Sequence, residues 1–99
     1  MVRRRKRDLD PHERATERGV LAAVAVARRL ELGLRQDELA ELAEVSPRFV
    51  YNVEAGKQSL QLDKVAAVLE ALGLHLTVER GADREIRAGD DLLPTDGFR

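Results

Sequence analysis

Between residues 33 and 73 the sequence is cut into short pieces of helical period by Gly33, the tetrad Glu44-Val45-Ser46-Pro47, Gly56 and Gly73. A glycine after the last periodic residue ends a helix. Ser followed by Pro starts one, because Ser supplies a capping oxygen and Pro lacks only a donor that has no partner there. The apolar spacing predicts helices over residues 13–32, 36–43, 47–54 and 62–72. The expected inward residues are Val20, Val24, Ala27 and Leu30 or Leu32 in the first helix, and Leu39, Ala40, Leu42 and Ala43 in the second. In the third they are Val50 and Val53 with Phe49 beside them, and in the fourth Leu62, Val65, Leu69 and Leu72. Past Gly73 the period changes to two: Leu74, Leu76 and Val78 alternate with His75, Thr77 and Glu79, which predicts one short strand over residues 74–80. No second strand signal exists in the chain. The expected partner is therefore the same strand of another copy, in an intersubunit ribbon that makes a homodimer.

A length of 99 residues gives one domain, and 43% hydrophobic with 35% charged residues places it in the globular class. With one Tyr, two Phe and no Trp, the core must be built from Ala, Leu and Val, which favour close-packed helices, so the fold class is all-α. The absence of Cys excludes disulfides, thiolate nucleophiles and Cys-ligated zinc. His12 and His75 stand apart from any carboxylate or nucleophile at a catalytic spacing, so no enzymatic activity, metal or cofactor is expected. The longest nearly uncharged stretch, residues 19–27, falls far short of the roughly 20 apolar residues that span a bilayer. With Asp8, Asp10, Glu13 and Glu17 interrupting any signal-peptide pattern, the expected location is cytoplasmic.

The net charge of −1 hides an asymmetry, since residues 1–80 carry 14 Lys and Arg against 13 acids and residues 81–99 carry three against five. Arg3, Arg4, Arg5, Lys6 and Arg7 form a continuous basic run suited to phosphate or to an acidic surface. The chain is accordingly divided into a basic arm (1–12), a helical domain with its dimerisation strand (13–80) and a flexible tail (81–99).

Two short helices joined by a tetrad and flanked by two others describe a helix-turn-helix unit, whose second helix can enter a DNA major groove. On that helix Arg48, Tyr51 and Asn52 point outward. Arg48 and Asn52, four residues apart, can make paired hydrogen bonds to guanine and adenine edges respectively.

Residues 32–74, LGLRQDELAELAEVSPRFVYNVEAGKQSLQLDKVAAVLEALGL, resemble the XRE/Cro family of helix-turn-helix regulators over nearly half the chain. The matching pieces are Leu32-Gly33-Leu34, Gln36 with Glu38-Leu39-Ala40, Val45-Ser46, Val53-Glu54, Gly56-Lys57 and Ala71-Leu72-Gly73. The Arg-Phe after the turn, the Leu62-Asp63-Lys64 start of the fourth helix and the strand directly after Leu-Gly look most like HipB-type antitoxins. The resemblance implies a lambda-repressor-like domain of four to five helices. It further implies a homodimeric antitoxin and autorepressor that binds a palindromic operator in double-stranded DNA beside a HipA-like kinase toxin. A general XRE-type regulator without a toxin, or a partner-holding interaction protein, stands as the alternative.

By the same resemblance Gln36 and Lys57 contact phosphates, positions 47, 48 and 52 read bases, and Arg29 with Glu54 form a structural ion pair. Arg35, Ser46 and Tyr51 complete the expected DNA-binding set, and Leu74, Leu76 and Val78 the dimerisation set. Three residues depart from the family pattern. Pro47 can offer a base only an apolar contact, Arg35 replaces a capping Thr or Asn, and Glu44 replaces a turn glycine, which would hold a side chain at positive φ.

Overall fold

The computed structural model describes residues 18–82 and 84–93. Those residues hold four helices: α1 (Val20–Glu31), α2 (Gln36–Ala43), α3 (Pro47–Glu54) and α4 (Leu62–Ala71). The basic run at Arg3 to Arg7 and residues 13–17 lie outside the described residues. The helix expected over 13–32 begins only at Val20, because Gly19, at φ 109°, stands outside the helical region and is its N-cap.

Each helix closes with the same pair of hydrogen bonds. After α3, the Gly56 N–H donates to the Val53 carbonyl at 3.1 Å and the Lys57 N–H to the Asn52 carbonyl at 3.0 Å; the pair recurs at residues 33 and 34, 44 and 45, and 73 and 74. This double closure satisfies carbonyls that the helix leaves without partners, and it puts the first residue of each pair in the left-handed region. Three of the four are glycines. The fourth is Glu44, at φ 57° and ψ 42°, the one non-glycine residue at positive φ among those described.

α1 packs on α3, and α2 packs on both α3 and α4. The core joins Ala25 of α1, Leu39, Ala40 and Ala43 of α2, Val50 and Val53 of α3, and Val68 with Leu72 at the end of α4. Small side chains let these short helices approach closely, and tertiary packing supplies the stability that two-turn helices lack alone. Arg28 adds a polar tie, its Nε donating to the Leu72 carbonyl at 2.8 Å, so that the end of α4 is capped from α1.

Several faces differ from the expected ones. In α1 the buried residues are Ala22, Ala23, Val24, Ala25 and Val26, while Val20 and Ala27 are half-buried and Leu30 and Leu32 exposed. A helix of alanines and valines is covered on two sides here: Ala25 enters the main core, and Ala23 with Val26 form a second cluster. Leu42 of α2 is 61% exposed and Leu62 of α4 is 70% exposed; each lies at a helix end beyond its neighbours' reach, and Val68 takes the buried place in α4. Residues 74–80 form no strand within this single chain. Leu74 packs half-buried against the core, whereas Leu76 is 44% and Val78 98% exposed. In the segment expected to be a flexible tail, Leu93 packs on the Ala23 and Val26 cluster of α1.

Candidate nucleic-acid interface

Ser46 fixes where α3 begins. Its Oγ accepts a hydrogen bond from the Phe49 N–H at 3.0 Å, and Pro47 follows in the first turn, where its missing N–H has no partner to lose. From that start the helical period sends Val50 and Val53 into the core, leaves Arg48 and Tyr51 exposed, and keeps Asn52 half-buried. The Arg48 guanidinium carbon stands 5.0 Å from the centre of the Tyr51 ring, within the range of cation–π attraction. Arg48 is thus held on the surface of α3 by its neighbour one turn along.

Glu54, the last residue of α3, faces inward and is 4% exposed. Arg29 of α1 grips it with both ends of its guanidinium, Nε donating to Oε2 at 2.7 Å and Nη2 to Oε1 at 3.0 Å. Arg29 Nη1 also donates to the Leu34 carbonyl at 2.8 Å, and Gln36 Nε2 donates to Glu54 Oε1 at 3.0 Å. A buried carboxylate persists only where its charge is paired and its lone pairs are engaged. Here the Glu54 carboxylate ties α1, α2 and α3 into a frame, and the arginine that grips it adds the loop before α2. Because a carboxylate only accepts, the Gln36 amide must turn its nitrogen toward Glu54, which leaves its second N–H for an acceptor outside.

At the start of α2 the Glu38 carboxylate accepts from the Arg35 N–H at 2.9 Å, the half of a capping box that an arginine at the cap position leaves possible, since its side chain has no acceptor. Arg35 Nε lies 3.1 Å from Asp37 Oδ1 and 3.8 Å from Glu38 Oε1. The hydrogen bond from Arg35 holds the Asp37 carboxyl below its ordinary titration range, and the same bond raises the Arg35 guanidinium. A phosphate at Arg35 must therefore replace these carboxylates.

Lys57, exposed, follows Gly56 directly. Gly56 adopts φ 81°, and the backbone of Arg18 lies across it so closely that a Cβ there would stand 2.7 Å from Arg18 Cβ. A shallow notch beside α3 is lined by Arg18, Gln36, Tyr51, Arg29 and Glu54 among others. The expected residues Gln36 and Tyr51 meet there, while Arg48, Leu74, Leu76 and Val78 do not line it. Arg18 was not among the expected residues. No local signal marks it, since only the chain's return past Gly56 brings it to this side of the molecule.

Among the described residues no group of three or more His, Cys, Asp and Glu could hold a metal ion, and no helix is long and apolar enough to cross a membrane. Arg48 and Lys57 offer exposed hydrogen-bond donors on and just after α3, which the Glu54 network ties to α1 and α2.

Residues 27–78 match the helix-turn-helix family model. The chain is 43% identical, over 63 residues, to the uncharacterized HTH-type transcriptional regulator y4mF of Sinorhizobium fredii, covering 64% of this chain and 82% of that protein. Among solved structures it is similar to the clp gene regulator ClgR of Corynebacterium glutamicum, at 33% identity and a TM-score of 0.52. That similarity covers 59% of this chain, and the chain spans 62% of ClgR. Matched by the family pattern over more than half its length, the chain belongs to the XRE-type helix-turn-helix family.

Proposed function

We propose that the chain is a sequence-specific DNA-binding transcriptional regulator that lays α3 in the major groove and acts by binding, in the cytoplasm, rather than by catalysis. The observation that carries this reading is the outward row of α3, with Arg48 and Tyr51 exposed and Arg48 held over the Tyr51 ring. In this reading Arg48 takes a guanine and Asn52 an adenine, with Tyr51 holding Arg48 in place. Pro47 offers only an apolar contact, for instance to a thymine methyl. Gln36, Arg35, Ser46 and Lys57 hold phosphates, which set register and orientation without reading sequence. The similarity to y4mF and to ClgR, both named as regulators, supports the general class.

The working unit is a homodimer on a palindromic operator, its copies joined by a ribbon of residues 74–80. The exposure of Leu76 and Val78 supports this, because alternating apolar groups without cover are what a paired strand would bury. The finer reading, an autorepressing HipB-like antitoxin with a HipA-like kinase as its toxin, rests on the Arg-Phe and Leu62-Asp63-Lys64 resemblance alone. A regulator without a toxin fits the same geometry equally well, and a kinase-like reading frame beside this one decides between them.

Selection from a random duplex library by the purified full chain tests the function. The expected product is a two-fold symmetric site whose half-sites lie about one helical turn, roughly 10 base pairs, or a multiple of it apart. A library that stays unenriched overturns it.

A further inference from the structure

Around α3 the structure separates committed cations from free ones. Arg29 is gripped by Glu54, Arg35 by Asp37 and Glu38, and Arg28 by the Leu72 carbonyl and Glu31. Arg48 rests on an aromatic ring and Lys57 is exposed, and neither has a carboxylate partner among the described residues. Arg18 is a third cation of this kind: it is exposed, its guanidinium has no ion-pair partner among the described residues, and it lines the notch with Gln36 and Tyr51.

Its position is fixed by packing. The Arg18 backbone lies on Gly56, at a distance that only a residue without Cβ permits, which places Arg18 beside Lys57, the residue after that glycine. A chain of net charge −1 must gather unneutralised cations locally to hold a polyanion, because duplex affinity comes largely from phosphate neutralisation. A guanidinium is the group best matched to phosphate oxygens.

We propose that Arg18 is a DNA-backbone contact: a phosphate sits at the mouth of the notch, between the Arg18 guanidinium and the free N–H of Gln36, on the flank where Lys57 also stands. The Glu54 carboxylate beneath does not oppose it, because Arg29 already neutralises that charge. This inference rests on the reading that α3 lies in the major groove.

The test is the salt dependence of DNA binding by the full chain, wild type against Arg18→Ala and Arg18→Lys, with thermal unfolding followed in parallel. Arg18→Ala is expected to lower the slope of log affinity against log salt by about 0.9 and to weaken selected and scrambled duplexes by the same factor. Arg18→Lys should restore the slope, and the unfolding midpoint should stay at the wild-type value in both variants. An unchanged slope in Arg18→Ala overturns the proposal, as does a loss confined to the selected duplex. If the wild type binds and Arg48→Ala still loses selectivity, only the Arg18 assignment falls. If the wild type binds no duplex, the DNA-binding reading falls with it.

Discussion

Glu54 ties together the three helices that carry the candidate interface. Its carboxylate is almost fully buried and accepts from Arg29 and Gln36, so removing a partner strands a charge. Arg29→Ala or Glu54→Ala is expected to cost about 3–5 kcal/mol in denaturant unfolding, the usual result of breaking a buried pair. Arg35 and Asp37 are the contrast, a fully exposed pair whose effect is seen in titration. The Asp37 carboxyl is held low by its hydrogen bond from Arg35. The stability it contributes is therefore present above its unfolded value and is lost as pH falls through its lower folded value. Chemical-shift titration should find Asp37 below the ordinary aspartate range, and Arg35→Ala should return it upward. Glu44 stores strain instead. A left-handed L-residue costs about 1–2 kcal/mol, and glycine gives back about 0.5–1 kcal/mol through its extra backbone entropy. Glu44→Gly is thus expected to raise stability by roughly 0.5–1 kcal/mol in the same unfolding assay.

At the level of elements, the start of α3 and the helix ends were legible because their signals are local: Ser46-Pro47 begins α3, and Gly33, Gly56 and Gly73 close α1, α3 and α4 within about a residue of the expected ends, whereas the start of α1 at Gly19 was missed. The faces were less so. Periodicity gives the direction a side chain points but not whether a neighbour reaches it, which is why Leu42 and Leu62 lie exposed and Val68 is buried. The poly-small stretch of α1 has no single stripe to read, since it is covered on two sides. In the candidate site, the exposure of Arg48 and Tyr51 followed from the period of α3, whereas Asn52, expected outward with them, is half-buried. The bond from Gln36 to Glu54 and the seat of Arg18 on Gly56 join residues far apart in sequence, and no pattern along the chain encodes them. Gly56 shows how one position serves both levels: it closes α3 at positive φ and admits the Arg18 backbone. Gly56→Ala is expected to cost more than the roughly 1 kcal/mol of backbone strain alone, because a Cβ must also push the Arg18 segment away. A thermal midpoint equal to the wild type would contradict that packing.

For the whole molecule the proposed function raises the question of how a domain this small would select one DNA site. On that reading a single α3 would contribute few base contacts, and a second copy tethered to the first would multiply them through effective concentration. Residues 74–80 are the segment proposed for the tether. Leu76→Pro, which removes a backbone donor and constrains φ, should give a monomer by sedimentation and abolish operator binding, whereas Thr77→Ser should be nearly silent. A Leu76→Pro chain that stays dimeric at micromolar concentration would move the interface to a helix face. The central claim, that α3 reads base edges through Arg48, is reached most directly by titrating wild type, Arg48→Ala and Lys57→Ala on the selected operator and on a scrambled duplex. The expected result is a loss of roughly 1–3 kcal/mol for Arg48→Ala on the operator alone, with Lys57→Ala weakening both duplexes. Equal losses on the two duplexes for Arg48→Ala would contradict a reading role and leave Arg48 as one more phosphate contact.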